Sequence, residues 1–297
     1  MRIYYHALLG LLLLGACTPP AEPPPPQVAQ FPSPMEEHTR EHQRLASTAR
    51  DTAFTIEGIL PRPVAVFLPA QVTGPMPLLV HFHGVAFVPA RAVEDGYAVA
   101  VVNLGSGSGV YEQAFSDPAV FGAFLDAFQA HLGPEAPLGR LYLSSFSAGY
   151  GAVRALLRQP AAVARIDGLV LLDGLHTDYE PARRVLAEGG TLNTEKLQPF
   201  LAFAREAVAG RKVLLVTHSA VFPGTYASTT ETAAYLLDAL GLRRTAVLRW
   251  GPVGMQQVGE AGAGRFKLLT FAGNTAPDHV DHLHALPTLL AWFQEPQ

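Results

Sequence analysis

The sequence predicts an α/β protein: a mostly parallel central sheet with helices on both faces. Three observations carry this. Short apolar runs alternate with helical stretches over most of the chain beyond residue 51. Most of those runs are unbroken rather than alternating with polar residues, as suits strands covered on both faces. Finally, 49% of the 297 residues are hydrophobic and 15% are charged, which supplies a sizeable core and excludes a disordered chain. A formal net charge of −4 argues against a nucleic-acid binder, whose contact face is strongly basic. The single cysteine excludes a disulfide framework and a cysteine-rich zinc site.

The chain opens MRIYYHALLGLLLLGAC, with Arg2 as a short positive segment and 7–16 as an uncharged apolar run. About ten residues span roughly 15 Å as a helix, against a hydrocarbon core of roughly 30 Å. The run therefore reads as the apolar part of an export signal. Leu14-Gly15-Ala16-Cys17 follows and resembles the lipobox of bacterial lipoproteins. That resemblance implies a signal peptide over 1–16, a lipidated Cys17 as the new N-terminus, and anchoring to a membrane of the bacterial cell envelope. A plain secretory signal is the other reading. Residues 18–34 are proline-rich and read as an extended spacer, so 17–50 forms a tether. Its polar end, 36–51, is a short helix or an irregular lead-in. The globular domain is expected over 51–297.

Within that domain, 52–60 and 64–68 alternate apolar and polar residues around Pro61 and Pro63, and read as an antiparallel hairpin at a sheet edge. Parallel strands are expected at 78–83, 98–103, 140–145, 168–172, 213–217 and 267–271. Helices are expected at 118–132, 148–157 and 229–240, with a last one containing 287–293. Ser228 and Glu231 form a capping box ahead of the third. The segment 180–210 is long enough for two helices that cover a site.

The most informative stretch is RLYLSSFSAGYGAVRALLRQ. A strand runs into Ser145-Phe146-Ser147-Ala148-Gly149 and a helix starts at once. Such a turn leaves no room for side chains two residues from its apex, and Ser145 and Gly149 are small. Ser147 would stand at the carboxyl edge of the sheet above a helix N-terminus, although serine also suits a plain helix cap. This pattern resembles the nucleophile elbow of the α/β-hydrolase superfamily, with Ser145 in place of the usual first glycine. The resemblance implies an α/β-hydrolase fold with Ser147 as nucleophile. His83-Gly84 resembles the superfamily's HG motif, so the N–H groups of Val85 and Ala148 are expected to form the oxyanion hole, with His83 buttressing the turn. His81-Phe82-His83 also suggests a metal, but the hydrolase pattern H-x-H-x-D-H would need Asp and His where Val85 and Ala86 stand.

The resembled superfamily orders its triad Ser, acid, His. Asp173, at the end of 168–172, is the expected acid; Asp-Gly is also a common turn pair. Asp178 is a weaker candidate. Thr217-His218-Ser219, where the acid more often stands, holds no carboxylate, and Glu231 is explained by the cap. The expected base is His279, in the loop before the last helix. His282 is the alternative, and His284 reads as a helix residue. Asp278 and Asp281 orient these rings or cap the helix, and a metal bound by this cluster is a weak reading. Gly105–Gly109 lacks the Lys-Ser/Thr of a P-loop and reads as a flexible wall. Residues 218–229, with Tyr226, read equally as a wall of the cleft or as an ordinary loop.

The expectation is thus an exported, lipid-anchored serine hydrolase acting on a small acyl substrate, an ester by default and an amide as the harder option. The implied chemistry needs no metal and no cofactor. The rival is a non-catalytic lipoprotein of the same fold that binds a ligand or an envelope partner.

Overall fold

The computed structural model describes residues 43–47 and 50–294. The expected signal peptide, Cys17 and the tether up to residue 42 lie outside the described residues.

Strands are β1 (Phe54–Ile56), β2 (Val64–Phe67), β3 (Met76–Phe82), β4 (Ala98–Val102), β5 (Leu138–Phe146), β6 (Ile166–Leu172), β7 (Tyr179–Glu180), β8 (Thr191–Leu192), β9 (Val213–His218), β10 (Thr245–Trp250), β11 (Gln256–Ala263) and β12 (Phe266–Phe271). Helices are α1 (Ser108–Ala114), α2 (Pro118–Leu132), α3 (Tyr150–Leu157), α4 (Pro160–Arg165), α5 (Gln198–Val208), α6 (Thr229–Leu240), α7 (Ala276–His284) and α8 (Leu286–Gln294). The main sheet has ten strands in the order β1-β2-β4-β3-β5-β6-β9-β12-β11-β10. From β4 to β12 every neighbouring pair is parallel. The β1–β2 hairpin closes one edge antiparallel, as expected.

Period-2 alternation divides each central strand between two layers. On β3, Leu78, Val80 and Phe82 pack with Tyr111 of α1, Phe124 of α2, Leu156 of α3, Phe200 of α5 and Leu236 of α6. Leu79 faces the other layer, with Val99, Leu215, Leu283 of α7 and Leu290 and Phe293 of α8. Both faces are therefore dry, which is why the strand sequences read as continuous apolar runs. This is the α/β-hydrolase fold.

Three expectations need correction. First, no strand is expected where β10 and β11 lie, yet β11 pairs antiparallel with β12 and β10 with β11, extending the far edge. β10 is almost wholly exposed and β11 is rich in Gly and Gln, so neither shows a strand pattern. Second, 180–210 forms one α-helix, not two. Tyr179–Glu180 and Thr191–Leu192 make a small hairpin, and α5 is a core helix with Phe200 and Phe203 buried under the sheet, not a cover over a site. Third, Ser108 and Gly109 begin α1, anchored by the buried Tyr111, so the glycine-rich wall is only its first three residues. The described part of the lead-in is irregular, one of its two expected forms; Arg44 donates to Asp281 (2.8 Å) and ties it to α7.

Candidate active site

The carboxyl ends of β3, β5, β6 and β9 lie side by side in the sheet. Three of the four are left by a non-glycine residue with positive φ: His83 (+71°), Ser147 (+47°) and Asp173 (+42°). Each such conformation costs about 1–3 kcal/mol and persists only where its surroundings hold it. Three of the five such residues among the described ones gather at this edge, which makes it the candidate site.

Ser147 opens a one-turn 3-10 helix that runs directly into α3. Its hydroxyl caps neither, so the plain helix-cap role is excluded. The turn is as tight as the sequence implies. A Cβ on Gly149 would lie 2.2 Å from the Phe82 carbonyl oxygen of β3. Ser145, at the other small position, fits, but its buried hydroxyl has no partner among the described residues. Ala148 is the second residue of the turn, among the N–H groups that no intrahelical carbonyl reaches.

Asp173 is fully buried and accepts four hydrogen bonds. Oδ1 takes the Ser219 N–H (2.9 Å) and the Thr229 hydroxyl (2.6 Å). Oδ2 takes the Ser219 hydroxyl (2.6 Å) and His279 Nδ1–H (2.7 Å). Burial pushes this carboxyl up, but the facing His282 and His279 rings and the Ser219 hydroxyl outweigh it and hold it well below the usual range. The following glycine lies against the elbow: a Cβ on Gly174 would be 2.8 Å from Ser147 N.

His279 stands in the first turn of α7 rather than in a loop, because Thr275 and Asp278 form a capping box that starts the helix ahead of it. With Nδ1–H donating to Asp173, that tautomer of the ring carries its lone pair on Nε2, which makes no hydrogen bond among the described residues. The ring lies 4.6 Å from Phe146, the residue before Ser147. His282, one turn on, is buried with Nδ1 2.7 Å from Thr217 Oγ1 and packs edge-on against Phe271. Burial lowers its pKa. His284 is a helix residue whose Nδ1 accepts the Leu45 N–H (3.2 Å). Asp178 is exposed and paired with Lys196.

The turn after β3 is pinned at each carbonyl. His81 Nε2–H donates to the His83 carbonyl (2.7 Å), and the Ser144 hydroxyl donates to His81 Nδ1 (2.8 Å). Burial drives His81 down to about 4, so the ring stays neutral. Asn103 Nδ2 donates to the Gly84 carbonyl (2.8 Å), and His83 Nδ1 lies 2.9 Å from the Tyr111 hydroxyl. The Val85 N–H donates to no backbone carbonyl among the described residues. His83 thus buttresses the turn, as expected. Both rings of His81-Phe82-His83 are engaged within the protein, and no group of three or more His, Cys, Asp or Glu among the described residues is placed to hold a metal.

Sequence reading missed Ser219, Thr229, Tyr111, Asn103, Ser144 and His218. His218 Nδ1–H donates to the Ser219 carbonyl (3.0 Å), and the Thr270 hydroxyl reaches its Nε2 (2.9 Å). Its burial likewise lowers it to about 4. His218 and Ser219 carried a sequence signal as polar residues of the empty acid slot, and Thr229 as the end of the singled-out segment 218–229.

No protein-family profile matches the chain, and no curated protein is similar in sequence. Solved structures align over most of it at low identity. Pyrococcus horikoshii acylaminoacyl peptidase aligns at 14% identity over 82% of this chain and 41% of that one, with a TM-score of 0.47. A glucuronoyl esterase from Solibacter usitatus aligns at 12% over 81% and 87%, with 0.44. A cold-adapted esterase from an Arctic intertidal metagenomic library aligns at 16% over 79% and 85%, with 0.43.

Proposed function

We propose that this protein is an exported, lipid-anchored serine hydrolase that cleaves esters through an acyl-enzyme. Ser147 Oγ attacks the acyl carbonyl, and His279 Nε2 takes its proton. Asp173 holds the Nδ1–H tautomer and stabilises the imidazolium that forms. The Val85 and Ala148 N–H groups receive the negative oxygen. His279 then protonates the leaving alcohol, and water, activated by the same ring, releases the acid. Esters come first because their leaving group departs more readily than an amine; amides are the harder variant.

One observation carries this reading. His279, from far along the chain, donates to a buried Asp173 whose neighbouring glycine touches the backbone of a strained Ser147. Ser147 Oγ and His279 Nε2 are not bonded in the structure, and catalytic hydrogen bonds often tighten only with substrate bound.

The direct test is labelling by a fluorophosphonate probe. Wild type is expected to label and Ser147→Ala not to, with turnover lower by about 10⁶. An unlabelled wild type would support the ligand-binding rival instead. Anchoring rests on the residues around Cys17. Cys17→Ser should move the protein from the membrane to the soluble fraction of the producing cells, and retention in the membrane would end that part of the proposal.

A further inference from the structure

A third imidazole stands beside the elbow and has no part in the mechanism above. His176 follows Asp173 by three residues, and its ring is buried. Its Nδ1–H donates to the Ala227 carbonyl (2.8 Å). The two loops are tied again by Ala227 N–H to the Thr177 carbonyl (2.9 Å) and by the Thr232 hydroxyl to the Leu175 carbonyl (2.6 Å). The ring is therefore fixed in one tautomer, with a lone pair on Nε2. That atom makes no hydrogen bond among the described residues. Burial lowers the pKa of His176, so the ring stays neutral.

Two tyrosines meet this ring edge-on. Tyr150, three residues after Ser147, has its centroid 5.5 Å away, and Tyr226 has its centroid 5.0 Å away. Neither phenol hydroxyl is hydrogen-bonded among the described residues. Tyr226 is 38% exposed, so this group opens to solvent. Below it, the Arg154 guanidinium lies 5.2 Å from the Tyr150 ring centroid and is held by Glu112 (Nε to Oε1, 3.1 Å).

The chemistry of this group narrows its ligand. A fixed lone pair accepts only from a donor, which excludes a carboxylate. An ammonium group donates to Nε2 but accepts nothing from a phenol hydroxyl. A neutral hydroxyl both donates to Nε2 and accepts from a phenol. We propose that His176, Tyr150 and Tyr226 form a subsite beside Ser147 that selects esters bearing a hydroxyl group. The proposal rests on the hydrolase reading and adds the substrate class to it. The hydroxyl belongs to the acyl chain or to the alcohol, and the two sources are separated by substrate.

The experiment measures kcat/KM for two pairs: 4-nitrophenyl butanoate against 4-nitrophenyl 3-hydroxybutanoate, and ethyl butanoate against 2,3-dihydroxypropyl butanoate. Wild type is expected to favour the hydroxylated member of one pair by about tenfold. His176→Asn keeps an N–H where Nδ1 stood and deletes the acceptor, so the ratio should fall towards one. His176→Gln puts an amide oxygen where Nε2 stood and should recover part of it. A histidine with a purely structural role gives the reverse order, because only Asn preserves the Ala227 bond. Ester hydrolysis without preference in either pair, or a preference that survives in His176→Asn, overturns the subsite alone. A wild type inert on all four esters overturns the hydrolase reading and the subsite with it.

Discussion

The turns that leave β3 and β6 start alike and end in opposite uses. Each opens on a non-glycine residue at positive φ, His83 or Asp173, followed by a glycine. After β3, side chains serve the backbone. His81 and Asn103 take up two successive carbonyls, and the Val85 N–H is left without a backbone carbonyl among the described residues. After β6, a backbone N–H and hydroxyls serve a side chain. Ser219 and Thr229 saturate a buried carboxylate and leave it one further bond, to His279. Strain at a strand end thus supplies either a fixed amide donor or a fixed anion. Which one results depends on the neighbouring strand ends, not on the turn itself.

The largest effect separates the two turns. Asp173→Asn should lower kcat by about 10⁴, because the ring then loses its tautomer partner while the oxyanion donors stay in place. Full ester turnover in this variant would remove Asp173 from the mechanism.

Acid acts on both turns at once. Below the ordinary histidine value of 6.5 the unfolded chain gains protons that buried His81 and His218 refuse until about pH 4. Stability therefore falls as pH drops from 6.5 towards 4, by up to roughly 3 kcal/mol for each ring. Asp173 adds a loss of the same sign only below 3.8, since its folded carboxyl remains ionised there. Urea midpoints at pH 7.5 and 5 test this; equal midpoints contradict it.

A smaller effect sharpens the role of the β3 turn. Asn103→Ala frees the Gly84 carbonyl and should cost about tenfold in kcat with little change in KM, the pattern of support given only to the transition state. A rise in KM alone would assign Asn103 to substrate binding. Smallest is Ser145→Ala, which deletes a buried hydroxyl with no partner among the described residues and should raise unfolding stability by about 1 kcal/mol. Calorimetry showing a loss instead would mean that this hydroxyl is satisfied in solution.

The elbow was legible because its geometry demands small residues at fixed offsets, and Ser145 and Gly149 supply them. The capping box at Ser228 and Glu231 was legible for the same local reason. The choice between His279 and His282 was open in sequence. Three residues apart on a helix, both point to a similar side, and only the seating of α7 sends one to Asp173 and the other to Thr217. The donors to Asp173 were invisible because Ser219 and Thr229 come from another strand end and the helix after it. The β10 and β11 strands escaped notice because an exposed edge imposes no apolar period.

The central strands and their helices, the turn at Ser147 and the small residues around it follow from the chain itself, since each depends on neighbours a few positions away. Tertiary packing alone decided which imidazole meets the carboxylate, which hydroxyls hold that carboxylate ionised, and where an unused histidine lies beside the serine. These depend on contacts between residues distant in sequence, and a hydrogen bond forms only where separately folded strand ends are brought within about 3 Å.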